Sequence, residues 1–150
     1  MKVLKSASIN SENGIDISFV PPLIRRKLSL LDKVVLTTLV QVFDENVEEI
    51  IFSSEYGEFS RLDTIIKQYQ ELNEVSPAQF SASVHNYPVS FFTLYKKLNI
   101  PYYAISAGSN SLEAAKAIAT KETVLVYADV YDGIKSIAYR LSPDGNNFWT

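Results

Sequence analysis

A layered α/β domain is the fold class this sequence predicts: a mostly parallel sheet with helices on both faces and an antiparallel hairpin at one edge. Three observations predict it. Short apolar runs of strand character alternate with longer segments whose apolar residues recur at helical spacing, the pattern of βαβ crossovers. An Asp-Gly pair late in the chain returns the last strand antiparallel to its predecessor. The 150 residues, 47% hydrophobic and 21% charged, amount to one domain with a single core, undivided by any repeat, low-complexity tract or long linker.

Each element has its own local reason. Residues 2–9 and 15–19 read as strands around the turn dipeptide Asn13-Gly14, and Ile15-Asp16-Ile17-Ser18-Phe19 alternates cleanly. Pro21-Pro22 ends any strand, because proline has no N–H for a ladder bond. A helix over 28–46 follows. Leu28, Leu31, Val35, Leu39, Val42 and Phe43 make its stripe, Ser29 and Asp32 its capping pair, and Asn46 its stop. Residues 49–53 are a short apolar run, the look of a buried strand. Leu62, Ile65, Ile66, Tyr69 and Leu72 mark a second helix. Ser76-Pro77-Ala78-Gln79 opens a short helix over 77–83, with Ser76 as cap, Pro77 at the first helical position and Gln79 closing the box. A helix over 87–97 carries Phe91, Leu94, Tyr95 and Leu98 on one side. A strand over 101–105, a loop over 106–110 and a helix over 111–120 come next, with Asn110 and Glu113 as cap pair. Residues 123–128 are the clearest strand, and Asp132-Gly133 turns the chain into another over 134–141. The tail, 143–150, reads as loose, with Trp149 its one anchor.

Composition excludes much chemistry. The chain has no cysteine, which removes disulfides, thiolate catalysis, iron–sulfur clusters and cysteine–zinc sites. His85 is the only histidine, so a multi-histidine metal site is out, and no metal or cofactor is expected. A net charge of −3 gives no reason to expect nucleic-acid binding. The start lacks the apolar stretch of a signal peptide and no window approaches a membrane span, so a soluble cytoplasmic protein is expected. Neither a P-loop nor a G-x-G-x-x-G run occurs, and there is no G-x-S-x-G elbow.

What remains is modest. Ala107-Gly108-Ser109 enters a helix, whose first N–H groups suit an oxyanion or phosphate; an ordinary strand-to-helix turn reads the same way. A nucleophile triad has only His85 as its base, with Ser106 or Ser109 as nucleophile; a lone histidine is more often a hydrogen-bonded structural group. Arg25-Arg26-Lys27 is a short basic run, suited to an acidic partner or to a solvated helix entrance. Tyr87, Phe91, Phe92, Tyr95, Tyr102 and Tyr103 crowd one region, as core filling or as a partner surface.

Three strings carry a family resemblance: Phe52-Ser53-Ser54-Glu55-Tyr56-Gly57-Glu58, then Ser76-Pro77-Ala78-Gln79-Phe80-Ser81-Ala82-Ser83-Val84-His85-Asn86, then Ile105-Ser106-Ala107-Gly108-Ser109-Asn110-Ser111-Leu112-Glu113-Ala114-Ala115. Together, over about residues 15–142, the sequence resembles the β-ketoacyl synthase-like N-terminal domain, in the branch that includes chain-length-factor-like subunits of bacterial aryl-polyene and related polyketide clusters. The resemblance implies the N-terminal half of a thiolase-like fold. It also implies that a condensing enzyme would carry its nucleophilic cysteine where this chain has Gly108, and its catalytic histidines in a second half. The reading that follows is a non-catalytic, chain-length-factor-like protein of fatty-acid or polyketide assembly. It would act through a β-ketoacyl synthase subunit, an acyl carrier protein or its own copy. His85, Asn86, Ser106, Gly108 and Ser109 would be a vestigial site, and Phe91, Tyr95, Tyr102 and Tyr103 a partner surface. In the family, the strand before the nucleophile loop pairs across a two-fold axis, so a homodimer or heterodimer is expected from 87–106. Two alternatives stand beside it: a serine-based acyl transferase or hydrolase using Ser109 or Ser106 with His85, and a small acyl-ligand binding domain.

Overall fold

The computed structural model describes residues 1–143, so the expected loose tail and its Trp149 anchor fall almost wholly outside the described residues. Five strands form one sheet in the order β1-β5-β4-β2-β3. They are β1 (Lys2–Ile9), β2 (Glu49–Ser53), β3 (Tyr102–Ile105), β4 (Thr123–Asp129) and β5 (Lys135–Ser142). β2 pairs parallel with both β3 and β4, while β5 is antiparallel to β4 and to β1. Only β5 therefore runs against the rest, which is the mostly parallel sheet expected, but the β4–β5 hairpin lies inside it because β1 adds on outside β5 as the edge strand. Asp129↔Lys135 closes that hairpin over Gly133, whose φ of +87° suits glycine.

Six helices surround the sheet: α1 (Pro22–Arg25), α2 (Leu30–Val42), α3 (Phe59–Leu72), α4 (Pro77–Ser81), α5 (Tyr87–Tyr95) and α6 (Ser111–Ile118). Strand side chains alternate between faces, and this assigns the layers. Ile50, Phe52, Val124, Val126 and Ala138 turn to α2 and α5 with Leu31, Val35, Leu39, Val89 and Phe92. Ile51, Leu125 and Leu141 turn to the other face, where Ala115 and Ala119 of the α6 segment cover them. Among the described residues no helix is long and apolar enough to cross a membrane.

Local chemistry acts as read at several ends. Ser29 Oγ accepts from the Asp32 N–H while Asp32 accepts from the Ser29 N–H, a reciprocal capping box. Ser76 caps α4 through the Gln79 N–H at 3.4 Å. α2 ends at Val42, short of Asn46, because Phe43 is extended and packs edge-on against Phe92.

Two expectations fail. Residues 15–19 are not a strand: residues 12–14 make a 3₁₀ turn, and Ile17 and Val20 drop into the core beside α2. There the Asp16 N–H donates to Thr37 Oγ1 and the Tyr95 hydroxyl to the Phe19 carbonyl. Their alternation serves loop packing, and β1 takes its antiparallel partner from the far end of the chain. Asn110 makes no side-chain cap on α6; the Ser111 hydroxyl instead ties down the loop before the helix, accepting from the Ala107 N–H.

Candidate functional site

The carboxyl ends of β2, β3 and β4 lie side by side, so the loops leaving them, 54–58, 106–110 and 130–134, gather at one rim. Crevices at this end of parallel strands are where α/β folds place ligands. Two hubs hold the rim, half-buried Asp129 and buried Ser111. Asp129 accepts from Ser54 Oγ at 2.7 Å, from the Glu55 N–H at 3.0 Å and from the Tyr56 N–H at 2.9 Å, tying the β2 loop to β4. Ser111 Oγ donates to the Gly108 carbonyl at 2.7 Å and accepts from the Ala107 N–H at 2.9 Å. The Ser111 carbonyl in turn accepts from Ser53 Oγ.

His85 is locked into this rim. Its Nε2 lies 3.0 Å from the Ile105 carbonyl, and a carbonyl only accepts, so Nε2 carries the hydrogen. The ring packs 5.4 Å from Phe52. Its Nδ1 side presses on Gly57, where a Cβ would stand 2.5 Å away and where φ is +56°. Gly57 is thus required twice, for its conformation and for the ring. An open cleft of about 330 Å³ is lined by His85, Asn86, Tyr102 and Ala104.

Of the serines, Ser106 Oγ reaches the Glu55 carbonyl at 3.4 Å and Ser109 is exposed in the turn before α6. Among the described residues no hydrogen bond joins either hydroxyl to His85, whose Nε2 is committed to β3. Gly108 lies exposed between them at φ +56°, with nothing within 4 Å of where a Cβ would stand. No cluster of acidic and histidine side chains among the described residues is arranged to hold a metal.

The aromatic region divides. Phe91 and Tyr95 stack at 5.7 Å and Tyr95 meets Phe19, so both serve the packing of 15–20 against α5. Tyr102 is half-buried on the same side, whereas Tyr103 is 45% exposed on β3, whose outer edge has no partner strand among the described residues.

Three charged features come only from the fold. Glu58, buried at the start of α3, faces buried Asp32 of α2. Burial first, then the hydrogen bond and charge of Asp32, push the Glu58 carboxyl up to about 9. A neutral Glu58 accepts from Ser29 Oγ and has a proton to offer Asp32, whose buried Oδ1 has no other partner. Arg61 closes the cluster, 3.5 Å from Asp32 and donating to the Ala82 and Lys27 carbonyls. In the basic run, Arg25 donates to the Val20 carbonyl, while Arg26 and Lys27 are exposed beside a cleft of about 500 Å³ shared with Arg61, Ser76, Gln79 and Tyr87. Buried Arg140 of β5 bridges Asp44 at 2.8 Å and Glu122 at 2.6 Å. Its hydrogen bond holds Asp44 below the usual carboxylate range, and Ser142 with Arg140 does so for Glu122.

The profile of the β-ketoacyl synthase N-terminal domain matches residues 4–130, which takes in the sheet through β4, all six helices and the first two loops of the rim. The chain belongs to the β-ketoacyl synthase N-terminal domain family. No curated protein matches it. Among solved structures, it is similar to the ketosynthase ApeO in complex with its chain length factor ApeC from Xenorhabdus doucetiae, with a TM-score of 0.70 and 22% identity over 82% of this chain and 61% of that one. It is also similar to the ishigamide ketosynthase/chain length factor, with a TM-score of 0.68 and 13% identity over 88% of this chain and 49% of that one. The chain thus spans between half and about three fifths of the chains it matches. These likenesses carry the thiolase-like fold. Of the rim residues, His85 and Gly108 stand out in the sequence as a lone histidine and a loop glycine. Asp129, Ser111 and Glu58 do not, because their partners lie on other elements.

Proposed function

We propose that this β-ketoacyl synthase-type domain is a non-catalytic, chain-length-factor-like partner of a ketosynthase in fatty-acid or polyketide assembly. One observation carries the reading: Gly108, where the family resemblance places the nucleophile, has no side chain and holds a left-handed conformation in an open turn. His85, the one histidine available for general-base work, gives its Nε2 hydrogen to the backbone of β3, and its basic Nδ1 is turned against Gly57 with no serine hydroxyl bonded to it among the described residues. The rim therefore has a strand-to-helix loop with no thiolate and no serine hydroxyl paired with a base to attack a thioester. What is left for the domain is shape and contact. The unpaired outer edge of β3, with Tyr103 exposed on it, is the surface assigned to the partner, since open strand edges recruit a further strand.

Co-expression with a ketosynthase, followed by capture on a tag carried by this chain, tests the reading. A stoichiometric complex is expected, weakened by Ala104→Pro, which removes an N–H on the open side of β3, since the carbonyls of the alternate residues Pro101 and Ile105 face β2. The purified chain alone should not condense malonyl-carrier substrate. An acyl adduct on Ser106 or Ser109 after incubation with acyl thioesters, found by mass spectrometry, would overturn it in favour of a serine enzyme.

A further inference from the structure

α3 is the least covered of the longer helices: of its 14 residues only Ile65 is buried, and its packing partner is the short α4. Its body-facing side is Arg61 and Ile65. Beside it runs an apolar stripe open to solvent, Phe59, Leu62, Ile66 and Tyr69, exposed by 47, 45, 48 and 56%. The intervals are three, four and three residues, the spacing of a helix–helix seam. That spacing is palindromic, and so is the chemistry: aromatic, aliphatic, aliphatic, aromatic. A two-fold axis level with Thr64 sets Phe59 against Tyr69 of a second copy and Leu62 against Ile66, large against large at every layer. The polar flank offers no obstacle, because Asp63 and Lys67 are already paired within the helix at 2.9 Å.

We propose that α3 is an interface between two copies of this chain, paired antiparallel across a two-fold axis at the level of Thr64. Tyr56 and Tyr131 extend the patch, stacked on each other at 4.3 Å with Tyr131 edge-on to Phe59. At roughly 150–250 Å² per large side chain, the exposed halves of these six residues come to roughly 600 Å². That is at the upper end of what a monomer leaves open, about 300–600 Å². It falls short of the roughly 800 Å² per partner of a standard interface, which sets the dimer in the micromolar range. A self-complementary patch that closes under a two-fold needs no other partner, which favours a second copy over an unrelated protein. The inference does not rest on the synthase reading, which uses the edge of β3.

Sedimentation of the 150-residue chain from about 1 to 200 μM tests it, a range bracketing weak two-fold association. A reversible dimer is expected, weakened at least ~30-fold by Leu62→Glu/Ile66→Glu, two charges buried in one apolar seam. Both sites are exposed in the single chain, so its circular dichroism and Tm should hold, and so should ketosynthase capture. Register is read separately, because the chain has no cysteine of its own. Leu62→Cys chains mixed with Ile66→Cys chains should form disulfide-linked heterodimers in preference to either homodimer. A monomer throughout, or a dimer lost with Ala104→Pro and kept with Leu62→Glu/Ile66→Glu, overturns the proposal. Equal crosslinking in all combinations overturns the antiparallel register.

Discussion

Replacing Glu58 by glutamine should remove a pH dependence that the wild-type fold carries at its α2–α3 joint. In the folded chain the Glu58 carboxyl is held up to about 9, against an ordinary 4.5. Between those values the native state keeps a proton that the unfolded chain has released. The stability it confers is complete below pH 4.5 and is lost as pH rises toward 9. The slope is about 1.4 kcal/mol per pH unit. From about pH 5 to 8 the loss is therefore at most about 4 kcal/mol, which for a chain of this size lowers Tm by roughly 2–4 °C per kcal/mol. The other shifted carboxylates do not share this window. Asp16, Asp44 and Glu122 are all lowered, so their titration falls below the ordinary carboxylate range. In the Glu58→Gln chain the new amide offers the same donor and acceptor without the titratable proton: an NH₂ for the Asp32 carboxylate and a carbonyl for Ser29 Oγ. Urea unfolding by circular dichroism at half-unit steps from about pH 5 to 8.5 measures both chains. Wild type should lose stability steadily, while Glu58→Gln stays flat and overtakes it at high pH. A flat wild-type profile, or equal slopes in the two chains, refutes the shared proton.

Three further outcomes follow from the rim and the far end of the sheet. Gly57→Ala should cost about 2–4 kcal/mol, because a left-handed conformation and a collision with His85 add together, whereas Gly108→Ala should cost only about 1 kcal/mol; urea midpoints of the pair check the difference. Asp129→Ala should release residues 54–56, costing about 2–4 kcal/mol for three bonds to one carboxylate, and faster hydrogen exchange at the Glu55 and Tyr56 amides reads it directly. Arg140→Met should flatten the acid limb of the stability curve. The benefit from Asp44 and Glu122 is present above their ordinary values and is lost as pH falls through the lowered ones, so unfolding between about pH 5 and 2 compares the two chains.

How far the sequence reaches depends on how far apart the interacting groups lie along the chain. The alternation of strand and helix was legible because periodicity is a property of neighbouring residues. So were the Ser29–Asp32 box, the Ser76 cap and the Asp132-Gly133 turn, whose hydrogen bonds close within a few residues. The strand pattern of 15–19 was equally plain and equally local, yet a strand needs a neighbour. Tertiary packing gave Ile17 and Val20 a place in the core and gave β1 its neighbour in β5. The candidate site divides in the same way. His85 and Gly108 could be singled out by residue type and loop position. That His85 is spent on Ile105, that Asp129 holds the loop after β2, that Glu58 meets Asp32 and that Arg140 reaches Asp44 are contacts between residues some twenty to nearly a hundred positions apart. No local pattern encodes such pairs. They exist because strand register and helix docking bring distant segments together, at the rim formed by the carboxyl ends of β2, β3 and β4, at the α2–α3 joint and at the far end of the sheet, and there fix ordinary carboxylates and serines as hydrogen-bonding hubs. The apolar stripe of α3 shows both levels at once: its spacing was written in residues 59–69, but only the assembled fold left it facing outward.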